Sequence, residues 1–103
     1  MVDTTPLTRA VEHFADKLRA APQSRLQRGA AAEALGLARE LARWAQAVEE
    51  PGTESREMPD AGMFAVADQI TVAGNDLAVV LRNEAEVGDA VRLVEEAQKR
   101  AGV

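Results

Sequence analysis

Apolar side chains recur every three or four positions through both halves of this chain, and that period limits what it can fold into. An α-helix carries 3.6 residues per turn, so residues three and four apart share a face. A strand would alternate every second residue instead. Leu7, Val11, Phe14 and Leu18 follow spacings of 4, 3 and 4. Leu26, Ala30, Ala34, Leu37, Leu41, Trp44 and Val48 form a longer stripe, which at 100° per residue falls within about an 80° arc. Ala31, Leu35, Ala38, Ala42 and Ala45 lie beside it and widen the buried face. Met63, Ala67, Ile70, Gly74, Leu77 and Leu81 give a third stripe, and Val87, Val91 and Val94 a fourth. Each stripe is apolar on one side and has to bury that side against another. The expected product is a single all-α domain over 1–103, an antiparallel three- or four-helix bundle whose second and third helices form a long central hairpin.

Local signals place the boundaries. The first helix is expected to open at Thr5 with Pro6 in its first turn, where the missing N–H costs nothing, and to end by residue 20 or 21 ahead of Pro22. Ser24-Arg25-Leu26-Gln27 matches a capping box, in which the serine hydroxyl and the glutamine side chain satisfy each other's orphan N–H groups. The second helix then runs to about Glu49, stopped by Pro51-Gly52. Residues 49–60 are acidic, polar and carry two prolines, so they are expected to form an exposed, mobile linker.

The segment from Asp60 to Glu84 admits two readings. Gln69–Val72 and Leu77–Leu81 around Ala73-Gly74-Asn75-Asp76 resemble a β-hairpin. The helical stripe covers about six turns, and an isolated two-stranded hairpin is only marginally stable. Helix is the expectation, with a bend or break at Gly74-Asn75, because glycine costs about 1 kcal/mol inside a helix. A last helix is expected over about Glu86–Arg100, with Ala90 and Ala97 flanking its valines. Lys99 and Arg100 there suit the negative pole of the dipole. The join at 83–87 contains no proline, leaving open whether this helix continues the third.

Composition excludes several function classes. There is no cysteine, hence no disulfide, thiol nucleophile or thiolate metal site. A net charge of −5 disfavours non-specific nucleic-acid binding, which draws on counterion release by clustered cations. No apolar stretch reaches membrane-spanning length, and Met1 to Pro6 shows no charged segment leading into an apolar run. The expectation is a cytoplasmic protein without span or secretory signal. Arginine outnumbers lysine ten to two, and with abundant Ala, Gly and Val this points to a GC-rich bacterial genome.

Catalytic side chains are scarce: no Tyr and one His. His13 points away from the Leu7–Leu18 stripe. Asp16, three positions on, makes a poor transition-metal partner for a lone histidine. The pairs Glu49/Glu50, Glu84/Glu86 and Glu95/Glu96 lack the Glu-x-x-His of dinuclear carboxylate bundles. No phosphate-loop, dinucleotide-binding or nucleophile-elbow pattern occurs. Ser24 and Ser55 read as a cap and a linker residue. No enzyme activity, cofactor or metal is expected.

Two surfaces stand out. Arg25, Arg28, Arg39 and Arg43 fall within about a 60° arc opposite the apolar stripe of the second helix. Gly29, Ala32 and Gly36 lie between and beside them. Two glycines at about 1 kcal/mol each call for a compensating gain. One reading is a smooth cationic groove for a helix or an acidic protein partner, with arginine forks pairing carboxylates. The other is a solvated face. Glu49, Glu50, Glu54, Glu57 and Asp60 of the linker are candidate intramolecular occupants.

The second surface lies on the third segment, where Phe64, Val72 and Val79 fall off the main stripe. A domain this small buries only about 60–70% of its unfolded surface, and a core rich in Ala and Val fills little volume per residue. Pairing as a homodimer is therefore expected, in a non-catalytic interaction or accessory protein. The alternative is a small-ligand sensor with an apolar pocket between helices near Trp44, Met63 and Phe64. A nucleic-acid accessory role for the arginines is a weaker third. Trp44 is read as a core anchor. Trp44-Ala45-Gln46 lacks the glycine of the Trp-x-Gly turn in secreted helical hairpins of this length, so that likeness ends at length and helicity.

Overall fold

Each apolar stripe becomes the buried face of a helix in the computed structural model, which describes residues 2–103. Met1, and with it part of the segment weighed as a secretory signal, lies outside the described residues. The elements are α1 (Thr5–Ala20), a single turn α2 (Gln23–Arg25), a π-helical turn (Leu26–Ala30), α3 (Ala31–Glu49), α4 (Val66–Val80) and α5 (Glu84–Ala101). Among the described residues there is no strand, so 69–81 is not a hairpin. Among the same residues no helix is long and apolar enough to cross a membrane.

Pro6 sits in the first turn of α1 as expected, but Thr5 is already helical and Thr4 occupies the cap without a side-chain bond. Asp3 supplies the missing acceptor: its Oδ1 takes the Thr5 N–H at 2.9 Å. Hydrogen bonds from Thr5, side chain first and then backbone, hold the Asp3 carboxyl below its ordinary pKa. Ala21 is extended, as a residue before proline should be, and α1 stops at Ala20.

The capping box at Ser24–Gln27 does not form. Proline's fixed φ starts the next helix earlier: the Pro22 carbonyl accepts the Arg25 and Leu26 N–H groups at 2.9 and 3.2 Å. Ser24 lies inside that first turn and caps nothing. The second helix is also not continuous from there to Glu49. Gly29 stands at φ +152°, a region that L side chains rarely adopt. The chain kinks through the π-helical turn before α3 begins.

The expected bend at Gly74 is absent, because Gly74 is buried and faces α1. A Cβ built on it would lie 2.8 Å from Val11 Cγ2. The glycine lets two helices approach closely; it does not loosen α4. The break falls instead at Leu81–Asn83, where Leu81 turns extended, so α4 and α5 are separate helices. Asn83 Oδ1 accepts the Glu86 N–H, and Glu86 Oε1 accepts the Arg82 N–H, both at 2.9 Å. Asn83 thus caps α5 while Glu86 reaches back to the residue before the cap, and this start signal stands two helices later than the sequence reading placed one. At the far end of α5, Gly102 takes the left-handed conformation with its N–H on Gln98 and Lys99 carbonyls.

Four long helices pack in a ring: α1 and α3 each lie against both α4 and α5, and the α3/α4 pair has the most extensive contact. Val11 opposite Gly74, and Arg19 Nη2 at 2.9 Å from Asp68 Oδ1, make α1 and α4 antiparallel. Arg100 Nε at 2.9 Å from Glu33 Oε2 does the same for α5 and α3. The linker after α3 does not turn tightly. Gln46 accepts the Arg56 N–H at 2.8 Å, and Arg39 Nε donates to the Met58 carbonyl at 2.8 Å. The chain therefore runs back along α3, about 28 Å long at 1.5 Å per residue, and α4 starts beside the beginning of α3 and runs in the same direction, so the bundle forms without the expected antiparallel hairpin of second and third helices. The core between the helices holds Leu7, Phe14, Leu41, Ile70 and Leu77, each fully buried, set among Ala15, Ala34, Ala38, Ala73, Ala90 and Ala97. Burying one of the larger side chains contributes about 1.5–3 kcal/mol.

Candidate interaction surfaces

The arginine face is divided by the kink. Arg25 and Arg28 stand before it, and with Gly29 they line a cleft of about 280 Å³ that also includes Glu33 and Arg100. Arg25 Nη1 donates to the Gly102 carbonyl at 2.6 Å, tying the start of the second helix to the end of α5. The Arg100–Glu33 hydrogen bond holds the Arg100 guanidinium above its ordinary pKa and occupies the one carboxylate in the cleft.

Gly36 and Arg39 stand after the kink, in a groove of about 570 Å³ whose walls include Leu35, Met63 and Val66. Arg39 is half-buried. Its Nε, already bonded to Met58, is 3.4 Å from Glu57 Oε1. The acidic linker thus engages this arginine, through Glu57. Glu50 pairs with Arg56 at 3.4 Å within the linker itself. Arg43 is exposed and enters no ion pair among the described residues. The structure therefore brings Arg25, Arg28 and Gly29 together, and separately Gly36 with Arg39. One-helix geometry could not foresee the split, because it assumed no turn at Gly29.

Met63 and Phe64 share a cleft of about 190 Å³ with Leu18, Leu26 and Ala67. Trp44 is not part of its lining. It is half-buried on α3 and packs against the core. Phe64 is 75% exposed, and on α4 Val72 is 56% and Val79 85% exposed. Successive positions 68, 72, 75 and 79 face solvent, opposite buried Ile70, Ala73 and Leu77. Asp68 there is held by Arg19, whose guanidinium this bond raises above its ordinary pKa.

His13 is exposed, and Asp16 pairs with Arg19 at 3.3 Å. Among the described residues no group of three or more His, Asp or Glu could hold a metal ion. His13 does line a feature that the sequence reading missed: a groove of about 550 Å³ between α1 and α5. A second cleft of about 360 Å³ shares Pro6 and Val91 with it. Its only sequence signal was the half-apolar edge of each helix. That those edges meet depends on α1 and α5 lying side by side, which no local pattern encodes.

The chain matches no protein-family model, and no curated protein sequence or solved structure matches it.

Proposed function

We propose that this protein is a small, cytoplasmic, non-catalytic bacterial interaction protein that pairs with a second copy of itself through the outer face of α4. One observation carries the reading: Val72 and Val79, two turns apart on α4, are 56% and 85% exposed, with Phe64 at 75% just before the helix. An isologous contact presents that face twice. Six side chains at about 1.5–3 kcal/mol each are set against about 4–15 kcal/mol of lost translational and rotational freedom. The two are comparable, so the dimer is weak and reversible. The arginines on either side of the kink offer an acidic protein a second contact, with Arg28 and Arg43 free of ion pairs among the described residues.

A ligand pocket near Trp44 draws less support. The cleft shared by Met63 and Phe64 holds about 190 Å³ and the larger groove at Met63 about 570 Å³, and Trp44 lines neither, so the three residues do not converge on one pocket.

Sedimentation equilibrium from micromolar to millimolar protein tests the pairing. The wild type should shift from monomer to dimer across that range. Val72→Ser/Val79→Ser should stay monomeric with an unchanged circular dichroism spectrum, since both positions are exposed. A wild type that stays monomeric throughout, or a double variant that dimerises equally well, refutes the proposal.

A further inference from the structure

The outer face of α4 becomes complementary to itself when it is turned end for end. Asp68, Val72, Asn75 and Val79 are all exposed and fall within about a 60° arc at 100° per residue. Arg82, also exposed, follows two residues past the helix end at Val80. From Asp68 onward the order is acid, valine, asparagine, valine, base, at intervals of 4, 3, 4 and 3. Read backwards, it is base, valine, asparagine, valine, acid. Both ends carry charge to spare. Arg19 serves two acids, Asp68 at 2.9 Å and Asp16 at 3.3 Å, so that end keeps a negative charge in excess. The Arg82 guanidinium enters no ion pair among the described residues. Of its acidic neighbours, Glu86 accepts the Arg82 backbone N–H, and Glu84 lines the cleft shared with Asp3 and Pro6.

Such a face fits a second copy running the opposite way. We propose that α4 pairs antiparallel with α4 of that copy. Val72 of each lies against Val79 of the other, Asn75 stands at the two-fold axis, and Asp68 faces Arg82 at both ends. The arrangement rests on the pairing through α4 proposed above and adds what selects the partner. In a parallel pair Asp68 would meet Asp68 and Arg82 would meet Arg82, and like charges repel. Antiparallel copies turn both into contacts between opposite charges. The Asn75 amide donates and accepts, so the two axial side chains satisfy each other. A single polar residue in an apolar seam also fixes register at a cost in stability. Asp76, the one other charge on α4, lies about 40° beyond Val72 at the rim, where solvent screens it.

The chain has no cysteine, so cysteines can be introduced singly. Val72→Cys and Val79→Cys proteins, mixed and oxidised, should give mainly the disulfide between the two different positions. Val72→Cys alone should crosslink about tenfold more slowly, because antiparallel copies hold its two sulfurs about two turns apart. In sedimentation equilibrium, Asp68→Arg and Arg82→Asp should each weaken the dimer about tenfold, since two attractive contacts become repulsive. The double exchange Asp68→Arg/Arg82→Asp should restore it, with circular dichroism unchanged throughout. Val72→Cys crosslinking alone as fast as the mixture, or a double exchange that restores nothing, overturns the antiparallel arrangement while pairing through α4 stands. A wild type that never dimerises removes the pairing and the arrangement together.

Discussion

Gly74 and Gly36 both sit inside long helices, α4 and α3, yet their surroundings are opposite. Gly74 lies on the inner face of its helix. A Cβ there would stand 2.8 and 3.1 Å from the two γ-methyls of Val11. Gly36 lies on the outer face, and a Cβ there would have no heavy atom within 4 Å. The intrinsic cost is the same at both, about 1 kcal/mol relative to alanine. At Gly74 it is offset by the close approach of α1 and α4. At Gly36 nothing in the isolated chain offsets it. The meaning of a residue in a helix is thus set by what stands across from it.

The largest expected effect tests the inner half of this comparison. Gly74→Ala gains about 1 kcal/mol of helix propensity, and the extra methyl overpacks the interface at about 1–3 kcal/mol. Val11 cannot yield easily: it is 1% exposed, and its β-branched side chain has one strongly preferred rotamer in a helix. The variant should lose up to about 2 kcal/mol in urea unfolding. In a Val11→Ala background the obstruction is gone, and the same substitution should become stabilising. A Gly74→Ala protein more stable than the wild type would break the comparison, leaving Gly74 as unexplained as Gly36.

A second pair sharpens the point with identical local grammar. Ser24–Gln27 and Asn83–Glu86 both spell a capping box, and only at the second does the cap side chain take up a helix N–H: Asn83 Oδ1 accepts from Glu86, while Glu86 Oε1 accepts the Arg82 N–H. At Ser24 the preceding Pro22 has already begun the helix, so its hydroxyl sits two residues too late to cap. Asn83→Ala should cost about 1 kcal/mol, within a range of about 0.5–2. Ser24→Ala should stay within about 0.5 kcal/mol, as exposed substitutions usually do. Equal losses at both sites in thermal or urea unfolding would mean that motif alone governs helix starts here.

The same logic explains what the sequence revealed about the fold. Leu7, Val11, Phe14 and Leu18 needed only their spacing to be placed inside, and all four are buried. The hairpin alternative at 69–81 gave way because Ile70, Ala73 and Leu77 share one helical face, and that face is buried. Gly29 was harder to read: a glycine within a helical pattern looks the same whether it is α-helical or stands at φ +152°. The direction of α4 had a signal in the length of its linker. Helix–helix connections in bundles usually take about 2–8 residues, and residues 50–65 are enough to run back along α3. The arginine surface was legible as a set of residues but not as a shape, because its outline depends on the kink. The α1/α5 groove was legible only as two half-apolar helix edges, since their meeting brings together two helices far apart in the chain.

The smallest expected effect concerns the outer half of the comparison and links stability to function. With open space at its Cβ, Gly36→Ala should stabilise the isolated protein by about 0.5–1 kcal/mol. If the groove holding Gly36, Arg39 and Met63 receives a partner closely, the added methyl should weaken that contact while the fold gains. Stability from urea unfolding and self-association from sedimentation, measured on the same variant, separate the two roles. A gain in stability with unchanged association assigns Gly36 to no contact between copies and leaves the exposed valines of α4 to carry the pairing. A loss of stability would mean that the outer face of α3 is constrained within the monomer itself, which its open surroundings argue against.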